Sequence, residues 1–419
     1  VPSRVQQGSF YALPQSPQIF KQLFMVAGFD RYAQIVRCFR DEDLRGNRQP
    51  EFTQLDMEMS FVKREDVMDM VDGCIRRIFI SILGIDITIP LPRMKFAESM
   101  NRFGIDRPDT RFGLELQDVT HLLRETDFNL FKNAVESGGV VKCLVVPGGA
   151  EKLTRKITDG LTGELKGIGG GGLPLTKVTE SGGKTEFSTG IAKFIQPQCR
   201  QLCQALAAKP GDLLFFMPGT FAEVCKYLHH LRTRLAQILD LIPPNTWDLL
   251  WVIDFPLVEW NEEMKRWDST HHPFTAPVDE DIHLLKTDPG KVRDQAYDLV
   301  LNGEEMAGGS IRIHRREVQQ AVFDLLNISA AEAQLKFSHL MEALCYGAPP
   351  HGGIAFGFDR WAMLLAEQQS LRDVIAYPKT QRAVCPLTGA PGEVPDAQLQ
   401  ELGIDLRPEI KAKRQAAEK

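Results

Sequence analysis

The stretch that decides the fold runs from residue 39 to residue 61, FRDEDLRGNRQPEFTQLDMEMSF. It opens on the triplet Arg40-Asp41-Glu42, crosses a polar connection to Pro50 and continues as an alternating run. Period-two alternation puts Phe52, Gln54, Asp56 and Glu58 on one side of a strand and Glu51, Thr53, Leu55 and Met57 on the other. Three polar residues sharing a face with one apolar residue argue against a simple core face. At the end of the partner strand, Arg40 offers a planar fork of donors to a phosphate or carboxylate, and Asp56 can hold an ammonium group. Together they fit an α-amino acid being joined to a phosphate. A solvated hairpin with exposed ion pairs would use the same letters.

Working outward, residues 10–13, 33–39 and 52–61 read as strands, and residues 17–27 as a helix opened by proline. Between residues 64 and 83, Val67, Met70, Val71, Cys74, Ile75, Ile78 and Ile82 recur at three- and four-residue steps, which predicts an amphipathic helix covering a sheet. From about residue 111 to 243 the character changes to a glycine-rich region without clustered catalytic charges. Strand patterning returns at 247–259 and 297–314, followed by a helix at 330–344, the run GGIAFGFDR (352–360) and a further helix. The expected organisation is therefore residues 1–110 and 244–406 as two parts of one domain, 111–243 as an insertion, and 407–419 as a polar tail that frays.

Length and composition set limits. At 419 residues the chain exceeds the usual single-domain size, and 43% hydrophobic with 25% charged residues is ordinary for a globular protein. No apolar run of membrane-spanning length and no signal peptide occurs, so no membrane partner and a cytoplasmic location are expected. Val1 stands in what reads as mid-strand, the expectation being a chain cut from something longer. Eight cysteines without a CxxC pair argue against structural zinc and a disulfide framework. A net charge of −6 provides no general basic field, but a local basic face can still meet a nucleic acid.

A second hairpin carries a sharper signal. In YDLVLNGEEMAGGSIRIH (297–314) the pair Asn302-Gly303 predicts a two-residue turn. Val300 then faces Glu305, with Asp298 diagonal to it at roughly 7 to 8 Å, close enough for two carboxylates to share one divalent cation. Magnesium bridging ATP phosphates is the natural candidate; two exposed acids at a hairpin tip are the plainer alternative. Arg312 has the opposite parity, so a shared site needs a one-residue slip, which Gly308-Gly309 can supply as a bulge.

In GGIAFGFDR the glycines permit close backbone approach, and Arg360 at a helix start aims its charge at an anion; an apolar strand-turn-helix core element explains the same residues. His271-His272 lies in a loop with no acid or cysteine cluster to support zinc, so a hydrogen-bonding role toward a polar ligand competes with no role at all. His229-His230 reads as ordinary helix. The glycines at 167, 169 and 172 match a dinucleotide pattern only literally, and Gly183-Lys184-Thr185 lacks the glycine that a phosphate loop requires.

Taken together, FRDEDLR with RQPEFTQLDME (39–58) resembles motif 2 of class II aminoacyl-tRNA synthetases, and GGIAFGFDR resembles motif 3. LPQSPQIFKQL (13–23), HHPFTAP (271–277), NGEEMAGGSIRIH (302–314) and YGAPPHGG (346–353) narrow the likeness to the bacterial aspartyl branch. The resemblance implies an α+β fold, with an antiparallel β-sheet flanked by helices and an inserted α+β domain. It implies ATP-dependent activation of L-aspartate to aspartyl-adenylate and pyrophosphate, then transfer to tRNA(Asp), with tRNA(Asn) as an additional acceptor in some members.

Carried over by position, Arg40 and Arg360 are the catalytic arginines. Gln18, Lys21, Arg40, Asp56, His271 and Arg312 line the aspartate pocket, with Lys21 and Arg312 pairing the substrate's side-chain carboxylate. Phe39, Arg40, Asp41, Glu42, Gln49, Glu305, Gly357, Phe358, Asp359 and Arg360 surround ATP, and Asp298 and Glu305 hold Mg2+. The family pattern also has an N-terminal anticodon-binding barrel, motif 1 at a homodimer interface and a mobile loop, all expected to lie before Val1. An asparaginyl or lysyl relative and a non-catalytic paralogue are the rival readings. Lys21 and Arg312 argue against the first, and the joint presence of Arg40, Asp298, Glu305 and Arg360 argues against the second.

Overall fold

A computed structural model describes residues 1–41 and 48–417, and the chain divides into two compact units. The first comprises Val1–Ile87, Gly309–Phe323 and Ile328–Lys419, the second Thr88–Gly308 and Asp324–Asn327.

In the first unit the strands Arg31–Phe39, Glu51–Ser60 and His351–Gly357 pair antiparallel in that order, with the end of the Glu304–Ile311 strand next. The register sets Gln34 and Ala355 opposite Asp56, and Tyr32 and Gly353 opposite Glu58. The helix Gln18–Val26 forms where proline-led periodicity predicts it. The longer periodic stretch becomes an α-helix, Arg64–Ile78, continued by a π-turn, Phe79–Leu83. Asp66 accepts from the Lys63 amide at 2.8 Å to open this helix, and Gly84 closes it in the left-handed region at φ 68°. Val67, Met68, Val71, Ile75 and Phe79 are its buried stripe.

Two local expectations need correction here. Residues 10–13 form no strand; Phe10 makes a single bridge to Pro2, because the prolines at 2 and 14 lack the amides that a longer ladder needs. The polar tail is a helix, Pro408–Ala417, to which Lys411 and Arg414 contribute contacts with Asp405 and with the Val394 carbonyl.

In the second unit the order is Glu304–Ile311, Ala296–Leu301, Leu249–Ile253 and Arg93–Lys95, the last running parallel to its neighbour. The single strand expected at 247–259 is instead two, Leu249–Ile253 and Val258–Asn261. Asp254 at φ 60° turns the chain between them and Pro256 cannot donate to a ladder. At 302–303 the two-residue turn forms as read, with Asn302 at φ 54° and Gly303 at φ 86°. The Asn302 side chain accepts from the Asp248 amide and donates to the Thr246 carbonyl, each at 2.9 Å, fixing where the hairpin ends.

The insertion builds its own antiparallel sheet, in the order Leu116–Asp118, Val140–Val146, Leu213–Gly219, Leu175–Ser181 and Lys184–Ser188. Its two central strands are apolar on both faces. Leu144, Val146, Leu213, Phe215 and Met217 join one core with the Phe221–Ile238 and Arg155–Gly167 helices. Val141, Cys143, Leu214 and Phe216 join another with the Asn129–Glu136 and Cys199–Ala205 helices. Fully buried Arg232 donates to the carbonyls of Asp109, Phe112, Gly113 and Leu114 and packs over the Phe112 ring at 4.0 Å, anchoring the start of the insertion. The glycines near 167–172 follow the end of the Arg155–Gly167 helix, and Gly182-Gly183 turns a hairpin, so neither forms a nucleotide loop.

The architecture is α+β, with predominantly antiparallel sheets flanked by helices and a separate inserted sheet, as the resemblance implied. Among the described residues, no helix is long and apolar enough to cross a membrane.

Candidate functional site

Along Glu51–Ser60 the buried positions are the polar ones: Gln54, Asp56 and Glu58 alternate with half-buried Thr53, Leu55 and Met57. The stripe that looked unfit for a core face is the inward face of the first unit. Two cations arrive to meet it. Lys21, on the second turn of Gln18–Val26, places Nζ 3.0 Å from Asp56 Oδ1, 3.1 Å from Glu58 Oε2 and 3.2 Å from the Met57 carbonyl. Arg312, just past Glu304–Ile311, donates from Nε and Nη2 to the two oxygens of Glu58 at 2.9 and 3.1 Å, and from Nη1 to Ser310 Oγ at 2.6 Å.

All four charged side chains are at most 3% exposed. Ionised groups withdrawn from water are costly unless paired and hydrogen-bonded, so the two carboxylates and two cations form a closed, neutral set. Burial pushes the Glu58 carboxyl up, but the Arg312 and Lys21 charges outweigh it and bring the group down to about 2. Fully buried His351 completes the floor. Its Nδ1 lies 2.8 Å from the Pro349 carbonyl, which can only accept, so Nδ1 carries the proton and Nε2 accepts from Gln22 at 3.4 Å. Burial lowers its basicity in keeping with that neutral form. Gln22 in turn accepts from Gln18 at 3.1 Å.

Lys21 directs its ammonium at Asp56, Glu58 and the Met57 carbonyl, so it is a counter-ion to both carboxylates, and a substrate carboxylate paired with Lys21 would share this ammonium with them. Glu58, which sequence reasoning left without a role, is the carboxylate that Lys21 and Arg312 share. Asp56 keeps one unmet need: its Oδ2 is buried and has no hydrogen-bond partner among the described residues. A buried carboxylate oxygen in that condition is a position for an incoming donor such as an ammonium group.

The remaining residues of the first unit sit around the stripe. Arg40 follows the end of Arg31–Phe39, its guanidinium 5.0 Å from the centroid of Phe52, on the same strand face as Asp56. Phe39 ends that strand half-buried, and Asp41 is exposed. Gln49 donates to the Lys379 carbonyl at 3.2 Å and accepts from its amide at 2.8 Å, and so ties down the strand entrance. Gly357 precedes the Phe358–Leu365 helix, on which Phe358 is exposed and Arg360 half-buried in the first turn. Asp359, expected at ATP, accepts from the Thr53 amide at 2.8 Å and fastens this helix to Glu51–Ser60. Glu42 lies outside the described residues.

In the second unit, Asp298 and Glu305 converge. A Cβ built on Gly308 would lie 2.9 Å from Asp298 Oδ1 and 3.3 Å from Glu305 Oε1, so both carboxylates lean over a position that only glycine leaves open. Two oxygen donors on a space of this size fit a hard divalent cation that takes one or two carboxylates and fills its other positions with phosphate and water. Among the described residues no group of three or more potential metal ligands forms. A methyl group at 308 would enter the space between the acids, so on a magnesium role for this pair Gly308→Ala is expected to raise the Mg2+ concentration for half-maximal activity about tenfold.

The two loop histidines separate. Nδ1 of His272 lies 3.2 Å from the Phe274 amide, which it accepts from, a local turn contact. His271 has its Nδ1 3.0 Å from Asp294 Oδ2 and its Nε2 3.9 Å from Asp298 Oδ2, with Phe255 edge-on at 4.8 Å. Burial pulls the His271 imidazole down, but Asp294 and Asp298 raise it to about 10. Asp294, fully buried, was not anticipated; it stands in the unpatterned stretch RDQAYD, where nothing marks it out.

Comparison with known proteins is consistent with this geometry. Residues 1–381 match the family of tRNA synthetases class II (D, K and N). The aspartate–tRNA ligase of Macrococcus caseolyticus is 53% identical over 407 residues, covering 97% of this chain and 68% of the relative. The aspartate–tRNA(Asp/Asn) ligase of Syntrophotalea carbinolica is 53% identical, covering 96% and 67%, and that of Persephonella marina 50% identical, covering 97% and 68%. On the extent of these matches, the chain belongs to the class II tRNA synthetases of the aspartate, lysine and asparagine group.

Proposed function

We propose that this chain carries the aminoacylation chemistry of an aspartate–tRNA ligase: L-aspartate reacts with ATP to give aspartyl-adenylate and pyrophosphate, and the aspartyl group passes to the terminal ribose of tRNA(Asp). Relatives at 50 to 53% identity carry aspartate–tRNA or aspartate–tRNA(Asp/Asn) ligase names, so tRNA(Asn) is an alternative acceptor. The observation that carries the amino-acid half is the buried stripe Gln54, Asp56 and Glu58, with its unpartnered Asp56 oxygen.

Asp56 Oδ2 receives the substrate ammonium, and Arg312, held by Glu58, recognises the side-chain carboxylate. Arg40, braced on Phe52, meets the α-carboxylate and the ATP α-phosphate, and Arg360 meets the far phosphates. The aspartate carboxylate attacks the α-phosphorus in line and pyrophosphate leaves. Such displacement depends on positioning and charge stabilisation and needs no protein nucleophile. Asp298 and Glu305 would hold Mg2+, which supplies charge neutralisation for the phosphate oxygens. A homodimer and a cytoplasmic location belong to the same reading; Phe10, Tyr11, Leu13, Phe20 and Ile35 expose apolar surface that a second copy would cover.

Aspartate-dependent exchange of pyrophosphate into ATP tests this reading, and folded protein without exchange would overturn it. For the metal pair, Asp298→Asn and Glu305→Gln are each expected to lower exchange by about 100-fold, with excess Mg2+ restoring part of the loss. Unaltered magnesium dependence in both variants would remove the pair from metal binding.

A further inference from the structure

Asp294 is a carboxylate with no exposure, and its surroundings are fully specified within the second unit. Its amide donates to the Phe255 carbonyl at 2.8 Å, and its backbone bridges Pro277. Oδ1 accepts from the Ala296 amide at 3.0 Å, and Oδ2 stands 3.0 Å from His271 Nδ1. The imidazole has Phe255 edge-on beside it, and Phe255 itself packs on Phe96 at 5.1 Å. The ring is thus clamped on its Nδ1 side and by an aromatic neighbour, and its other nitrogen is turned toward Asp298.

A buried carboxylate is expensive to keep, and an apolar residue would pack the same space without that cost. The specific return is orientation: a carboxylate on Nδ1 keeps that nitrogen protonated and fixes where the ring plane lies. We propose that Asp294 is a positioning residue for the ligase reaction, accepting the Nδ1 proton of His271 so that the Nε2 edge is held at the Asp298 carboxylate. This inference rests on the aspartate-ligase reading, in which His271 lines the aspartate pocket and Asp298 serves the magnesium site. Asp294 touches neither substrate nor metal and acts only through His271.

Three variants of the full chain test it. Asp294→Asn keeps one oxygen acceptor where the carboxylate offers two, to the Ala296 amide and to Nδ1–H, whereas Asp294→Leu removes both with the same branching. The expected result is a KM for aspartate about tenfold higher in the leucine variant, with KM for ATP changed by less than about twofold, and a smaller rise in KM for aspartate in the asparagine variant. Nitrogen-15 NMR of labelled histidine reads the positioning without catalysis. His271 should show protonated Nδ1 in the wild type and in Asp294→Asn, and lose that state in Asp294→Leu. An unchanged His271 spectrum in the leucine variant, or equal damage to KM by asparagine and leucine, would overturn the proposal. His271→Ala separates the two levels. If it leaves KM for aspartate untouched, the pocket assignment of His271 fails, while the NMR result still decides whether Asp294 orients the ring.

Discussion

Replacing Glu58 with glutamine is expected to destabilise the first unit by about 3 to 5 kcal/mol, the range for removing one partner from a buried ion pair. The cause is local. Glu58 is a carboxylate that Lys21 and Arg312 share, and both cations are almost wholly withdrawn from water. In the variant Lys21 retains Asp56 and the Met57 carbonyl, but the Nε and Nη2 donors of Arg312 face a neutral amide that can accept at only one end. Urea unfolding reads the loss directly, and a midpoint within error of wild type would show that the cluster does not contribute to stability.

The same carboxylate gives the effect a pH signature. Its ordinary value of 4.5 applies in the unfolded chain, and the folded value lies near 2. A depressed folded value means stability that is fully present above the unfolded value and is lost as pH falls through the folded one. The difference in stability between wild type and Glu58→Gln should therefore be constant from about pH 5 to neutrality and shrink between about pH 4.5 and 2. A difference that holds steady down to pH 2 would contradict the charged, doubly paired state of Glu58. In activity the variant should raise the KM for aspartate by about tenfold or more, because Arg312 loses the group that holds its fork in place.

What the sequence disclosed and what it concealed follow from the range of the interactions. Alternation over 52–58 and the Asn302-Gly303 turn are local signals, and both appear in the structure as read. The partner of Glu58 is 254 residues away in sequence, so no pattern near residue 58 could point to Arg312. Residue types were legible but their partners within the protein were not: the three acceptors of Lys21 lie on Glu51–Ser60, more than thirty residues away in sequence. Gln49 and Asp359 sit within recognisable motifs, yet their polar atoms fasten backbone segments at 379 and 53. Asp294 lies outside every motif, and only the placement of the His271 loop beside it reveals a function.

The second large effect is expected at Gly353, and it follows from the same cluster. Gly353 pairs with Glu58 across the two strands, and a Cβ there would lie 2.0 Å from Glu58 Oε2 and 2.1 Å from the Met57 carbonyl. The carboxylate cannot swing aside without abandoning Lys21 and Arg312, and the carbonyl cannot move without distorting Glu51–Ser60. Gly353→Ala should therefore cost about 3 kcal/mol or more, at the upper end of overpacking penalties, and abolish aspartate activation together with stability. Gly357, in the same strand, supplies the control. Among the described residues its Cβ would meet only Arg360 Cβ, at 3.7 Å, and its φ of −70° suits any residue. Gly357→Ala should stay within about 1 kcal/mol of wild type in urea unfolding, the scale of a helix N-cap change. Equal unfolding midpoints for the two variants would mean that close approach over Glu58 is not what reserves position 353 for glycine. A selective loss at 353 ties the glycine pair of GGIAFGFDR to the acid stripe of EFTQLDMEMSF, so that the two segments build one buried ion cluster in the first unit.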